Sequence, residues 1–62
     1  MDKDTVLTVL KAAPLSMPVY IYLEKSPYTV GSLIVNIQDG IWATVHECVK
    51  VIEVHEDRVV LR

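Results

Sequence analysis

Histidine and cysteine, which often act as bases, nucleophiles or metal ligands, are few in this 62-residue sequence. They are two histidines, His46 and His55, and one thiol, Cys48. Neither histidine has a nucleophile or a second metal ligand at a useful spacing, and no glycine-rich loop could hold a phosphate. We therefore expect no enzymatic activity, no metal site and no cofactor. We interpret Cys48 as a small buried residue, His46 as a surface strand residue and His55 as a solvated turn residue.

The aromatic side chains allow a second kind of chemistry, the stacking of nucleic-acid bases. Tyr20, Tyr22, Tyr28 and Trp42 could stack bases as the aromatic residues of single-strand-binding barrels do. The same rings could instead pack against a helix or a neighbouring subunit, and packing is the default interpretation.

Composition narrows the class of protein. Six basic and eight acidic residues give a formal net charge of −2, and no basic patch indicates nucleic acid. The apolar runs are far shorter than the roughly 20 residues that span a bilayer, and acids lie at the N-terminus where a signal peptide needs basic residues. We expect a soluble, cytoplasmic protein. Because 52% of its residues are hydrophobic, more than one small core can hide, we also expect self-association.

A short helix is predicted at about residues 4–12. Asp4 is a plausible N-cap, and Val6, Leu7 and Leu10 are spaced to lie on one side of the helix. Pro14 ends it.

Strand patterns begin at Pro18. Val19, Ile21 and Leu23 share one face of a first strand, and the tyrosines between them share the other. Lys25 to Pro27 is a predicted turn.

A second strand is predicted from Tyr28 to Gln38, in which Leu33, Val35 and Ile37 alternate with more polar positions. Gly31 lies inside this run. A glycine within a strand indicates a sharp bend, a bulge or another backbone passing close by, and a barrel corner meets that need.

The rest of the chain is predicted to form three more strands. Asp39-Gly40 is a hairpin signal and His55 to Asp57 is the last turn. The strands are Ile41 to His46, Val49 to Val54 and Arg58 to Arg62. The sequence thus predicts a mostly β fold over 1–62, a single domain with a short N-terminal α-helix followed by a strongly bent five-stranded antiparallel β-barrel over about 18–62.

The order of these features resembles the Sm-like (LSm/Hfq-type) proteins, among which this chain would be a divergent, phage-type member. That family has a Pro-Val-x-Ile-Tyr-Leu strand followed by a glycine at a fixed offset. The matching residues here are Pro18, Val19, Ile21, Tyr22, Leu23 and Gly31.

The resemblance implies a homo-oligomeric ring of about five to seven subunits that binds single-stranded RNA or acts in RNA-linked regulation. The implied RNA-binding residues are Asn36, Gln38, Asp39, His55 and Arg58. The subunit interface would come from the last two strands, with Ile52, Val54, Val59, Val60 and Leu61. The alternative is a structural or protein-interaction ring that has lost RNA binding, which the acids Asp39, Glu56 and Asp57 around a pore would favour.

Overall fold

Two hairpins from different parts of the chain form one sheet in the computed structural model, which describes residues 2–45, 47 and 49–62. The interpretations of His46 and Cys48 fall outside these described residues. The strands are β1 (Pro18–Ile21), β2 (Glu24–Thr29), β3 (Ile52–Val54) and β4 (Val59–Leu61). Their order across the sheet is β2-β1-β4-β3. β1 and β4 therefore form the centre, and β2 and β3 form the edges.

The central pair is parallel, whereas each hairpin is antiparallel. Val19 pairs with Val59, Tyr20 with Val60 and Ile21 with Leu61. A parallel pair requires a long crossover connection, which here is the whole helical segment between β2 and β3.

Helices supply the second layer. The first, α1 (Lys3–Lys11), is capped by Asp2, whose carboxylate accepts a hydrogen bond from the Thr5 amide at 2.7 Å. The predicted N-cap, Asp4, lies instead in the first turn of the helix. The second, α2 (Val30–Asn36), leads into a π-helical segment (Ile37–Ile41) and a one-turn helix, α3 (Trp42–Val45). No helix among the described residues is long and apolar enough to cross a membrane.

The core lies between the helices and one face of the sheet. The three predicted α1 residues Val6, Leu7 and Leu10 are all buried, which confirms the helical pattern at the N-terminus. The other buried apolar residues of the cluster are Ala13, Val19, Val30, Leu33, Ile34, Ile37, Val49, Val59 and Leu61. Alternation along β4 puts Val59 and Leu61 into this core and leaves Val60 on the opposite face.

The predicted five-stranded antiparallel barrel is wrong. The chain has an open, four-stranded mixed sheet with helices, and the error lies in the segment predicted as the second and third strands. Residues 28–38 carry two apolar periods at once, and the helical one decides the structure. The residues at helical spacing, Val30, Leu33, Ile34 and Ile37, are all buried. The strand alternation requires Val35 to be buried with Leu33 and Ile37, but Val35 is 55% exposed.

A capping box marks where α2 begins. The Thr29 hydroxyl accepts a hydrogen bond from the Ser32 amide, and the Ser32 hydroxyl accepts one from the Thr29 amide at 2.9 Å. This reciprocal arrangement satisfies two donors at the helix start and favours a helix over a continued strand.

Two predicted turns also differ from the structure. Asp39-Gly40 does not form a hairpin; Gly40, with φ of 123°, lets the helical chain change direction before α3. Lys25 to Pro27 lie within β2, and the hairpin turn is instead at Tyr22-Leu23, because Ile21 pairs with Glu24. The predicted last turn, His55 to Asp57, does connect two strands.

Gly31 serves as a close-approach glycine. It lies in the first turn of α2, and its amide donates to the Leu15 carbonyl at 2.9 Å. A Cβ at this position would lie 3.3 Å from that carbonyl oxygen and 3.4 Å from the Leu15 Cβ. The close passage of another backbone, one of the three explanations that the sequence allowed, is the one observed.

We predict that Gly31→Val destabilises the fold by about 1–3 kcal/mol, because its branched side chain pushes the 15–17 linker away from α2. Thermal unfolding followed by circular dichroism measures the change. Gln38→Val, at an exposed position in the same helical segment, is the matched control and should change stability by less than about 0.5 kcal/mol. Equal melting temperatures for Gly31→Val and the unmodified chain would refute the close-approach role.

Candidate functional site

The sheet face that the helices leave uncovered contains a groove. It has a volume of about 380 Å³. The groove is lined by Tyr20, Tyr22, Leu23, Glu53, His55, Asp57, Arg58, Val60 and Arg62. Its volume is at the lower end of the range for small-ligand sites, roughly 300–1,000 Å³.

Strand alternation explains why these residues meet. Arg58, Val60 and Arg62 are two residues apart along β4 and its flanks, so they project from the same face. Val60 pairs with Tyr20 on one side and with Glu53 on the other. Val60 thus forms an apolar floor, with aromatic groups on the β1 side and ionisable groups on the β3 side.

An arginine lies over a tyrosine ring in this groove. The Arg58 guanidinium carbon is 5.8 Å from the centre of the Tyr20 ring, within the range of a cation–π contact. Arg58 also donates to the Asp57 carboxylate at 2.9 Å. Both contacts hold the planar guanidinium over the sheet face, where a second planar group could stack.

Glu53 connects the other basic groups. It accepts hydrogen bonds from Arg62 and, at 3.1 Å, from the His55 ring when Nε2 carries the proton. These two contacts, the Arg62 contact foremost, hold the pKa of Glu53 below its ordinary value of 4.5. The carboxylate is therefore ionised at neutral pH and ties β3 to the end of β4.

Tyr22 has an unusual backbone conformation. Among the described residues it is the one non-glycine residue with a positive φ, 57°. It is the first of the two residues in the β1–β2 hairpin turn, where glycine is the usual choice when that φ is positive. Retaining a large aromatic residue there costs about 1–2 kcal/mol relative to a relaxed backbone. Its side chain is 54% exposed, and next to it Leu23 is 90% exposed.

The structure brings together only part of the predicted RNA-binding set. His55 and Arg58 line the groove. Asn36, Gln38 and Asp39 belong to α2 and the π-helical segment after it and do not line the groove. Asn36 uses its side-chain amide to donate to the Ser32 carbonyl at 2.7 Å.

Of the residues predicted to form the subunit interface, some lie on the central strand β4 and the others on the edge strand β3. Val59 and Leu61 are fully buried in the core of a single chain, and β4 has a neighbour on both sides. Only Ile52 and Val54 lie on an edge strand. The assembly of a ring stays a prediction.

Sequence reasoning did not assign Tyr20, Tyr22, Glu53 or Arg62 to the site. The alternation in β1 did put the tyrosines on one face, but nothing in the sequence indicated that β4 would lie beside β1. Among the described residues, no cluster of three His, Cys, Asp or Glu side chains could hold a metal ion.

Comparisons with known proteins assign this chain to no family. No family model, no curated protein and no solved structure matches this chain. The likeness to Sm-like proteins consequently rests on the short sequence pattern around PVYIYL, and the fold it implied is not the fold observed.

Low pH should reduce the stability of the folded chain, because Glu53 becomes protonated and loses its ionic contacts with Arg62 and His55. The pKa of Glu53 is lower in the folded chain than its ordinary value of 4.5, so ionised Glu53 stabilises the fold above that pH, and the contribution is lost as the pH falls through the folded value. We predict that Glu53→Gln loses less stability between neutral pH and the range below 4.5 than the unmodified chain does. Urea unfolding across this pH range measures the difference.

The matched control is Glu56→Gln, which removes a carboxylate from the neighbouring turn and leaves Glu53, His55 and Arg62 in place. Its pH dependence should stay like that of the unmodified chain. If Glu53→Gln also keeps the original pH dependence, the pairing of Glu53 with Arg62 and His55 does not stabilise the folded chain.

Proposed function

We propose that this protein binds a short segment of single-stranded RNA in the groove on its open sheet face. The observation that carries the proposal is the cation–π contact of Arg58 over Tyr20, with the exposed Tyr22 lining the same groove. Exposed aromatic and guanidinium planes on a sheet are the surfaces on which unpaired bases stack.

Polar groups of the groove could read the edges of a stacked base. Arg62 and His55 are donors, and the carboxylates of Glu53 and Asp57 are acceptors for amino or imino groups. The groove thus offers both kinds of partner around an apolar floor, an arrangement that suits a planar polar ring better than an aliphatic ligand.

The paired charges of the groove predict that base stacking contributes more to RNA affinity than contacts with phosphates do. Each arginine of the groove already contacts a carboxylate, Arg58 that of Asp57 and Arg62 that of Glu53. The local charge is therefore nearly balanced, and the whole chain is slightly acidic. Affinity should depend mainly on base stacking, with a shallow dependence on salt.

The strained position of Tyr22 supports the same function. A backbone conformation that glycine would adopt at lower cost is retained together with a large exposed ring at the rim of the groove. Unfavourable conformations of this kind cluster at active sites and at sites that hold a ligand.

The test is a titration of labelled uridine-rich and adenine-rich oligonucleotides at low salt, followed by fluorescence anisotropy. We predict that Tyr22→Gly weakens binding by about tenfold, since loss of one stacking ring costs roughly 1–3 kcal/mol per base. The salt dependence should not change, because no charge is lost. Stability should stay within about 1 kcal/mol, because glycine relieves the positive φ.

Arg58→Gln should lower both the affinity and the salt slope, the slope by about 0.7 if the lost charge contacts one phosphate. Lys11→Gln, which removes a positive charge from the exposed end of α1, is the matched control and should leave affinity nearly unchanged. Absence of binding to either oligonucleotide at low salt, or equal losses from Arg58→Gln and Lys11→Gln, would contradict the proposal.

A further inference from the structure

The two edges of the sheet are not equally protected against pairing with another strand. The outer edge strand β2 contains Pro27, which has no amide donor, and the adjacent charges of Glu24 and Lys25. Its ladder with β1 is also irregular between Pro18 and Tyr20. Proline, charge and irregularity are the features by which proteins block unwanted edge pairing.

The other edge strand, β3, has none of these features except one charge. That charge, Glu53, is turned back over its own sheet by Arg62 and His55. The remaining two residues of the strand, Ile52 and Val54, are apolar, and Val54 is 52% exposed.

The hydrogen bonds of the C-terminal hairpin show which backbone groups of β3 face outward. The amides of Val51 and His55 donate to carbonyls of the β4 side, at 2.6 and 2.8 Å, and Val51 accepts in return from Arg62. Because alternate residues of an antiparallel strand bond to the same neighbour, the amides and carbonyls of Ile52 and Val54 point away from β4. No described segment of the chain lies beside them in the sheet.

We propose that the β3 edge pairs with the β3 edge of a second copy of this chain, antiparallel about a two-fold axis through Glu53. In this register Ile52 of each copy bonds to Val54 of the other, which satisfies the two outward amides and two outward carbonyls of each copy. A second copy is the fitting occupant because it offers the same short row of donors and acceptors and the same apolar pair.

Side chains agree with this register on both faces of the sheet. On the helix side, the exposed Val54 of one copy covers the partly buried Ile52 of the other. On the groove side, the two Glu53 carboxylates face each other, and each is already compensated by its own Arg62 and His55. The two grooves would then lie side by side on one eight-stranded sheet. Since only three residues of each chain pair, the dimer should be weak and concentration-dependent.

The first test is sedimentation velocity from about 10 µM to about 1 mM, a range that spans the dissociation constants of weak complexes. The unmodified chain should approach twice its monomer mass of 7.0 kDa at the upper end. Val54→Lys should weaken the dimer by about tenfold or more, because a lysine at the edge opposes pairing. Val35→Lys, at an equally exposed valine on α2, is the matched control and should dimerise like the unmodified chain.

The second test is amide hydrogen exchange followed by NMR over the same concentrations. The amides of Ile52 and Val54 should become more protected as concentration rises, whereas those of Val51 and His55, already bonded within the chain, should not change. A monomer at the highest concentration would overturn the proposal. So would a dimer that Val54→Lys leaves intact, or one that protects neither Ile52 nor Val54. RNA binding by a monomer would leave the proposed function standing.

Discussion

The parallel pairing of β1 with β4 is the constraint on which the rest of the structure depends. It joins two hairpins separated by the whole helical segment and buries Val19, Val59 and Leu61 against the helices. Fully burying each such side chain contributes about 1.5–3 kcal/mol, a large amount for a chain of this size. The same pairing fixes the opposite face, because alternation then places Tyr20 beside Val60 and under Arg58.

The helical layer depends on a second set of contacts around the linker between α1 and β1. Carbonyls of Leu15 and Met17 accept from the first amides of α2, those of Gly31 and Val30, at 2.9 Å each. These bonds satisfy donors that a helix start leaves unpaired, and they hold α2 where it covers the sheet. Helix packing and strand pairing thus support each other, although neither hairpin would be stable alone.

Sequence patterns predicted the parts of the fold in which a single period is present. The apolar spacing of Val6, Leu7 and Leu10 has no competing alternation, and the α1 helix is confirmed. Residues 30–37 are dense in β-branched side chains, so that both a two-residue and a 3.6-residue period can be traced through Leu33 and Ile37. The capping pair Thr29 and Ser32 is the local sequence signal for a helix. It does not by itself decide between helix and strand, and the exposure of Val35 in the structure does.

The candidate site could be predicted only where it depends on local structure. His55 and Arg58 are neighbours across one hairpin, and the groove contains both. Tyr20 is more than thirty positions from Arg58, so their contact depends on which strands pair, which no pattern in one sequence specifies. The predicted barrel would have put three further residues, Asn36, Gln38 and Asp39, in the site. Because that segment is helical, they lie outside the groove.

The central claim is that β1 and β4 pair in parallel, which places Tyr20 beside Val60 and under Arg58. It can be tested by NMR on the isotope-labelled chain. Cross-strand nuclear Overhauser effects should connect the backbones of residues 19–21 with those of residues 59–61 in parallel register, and sequential amide contacts should show a helix at Val30–Asn36. Antiparallel contacts of residues 30–38 with β1, as a bent barrel requires, would contradict the account.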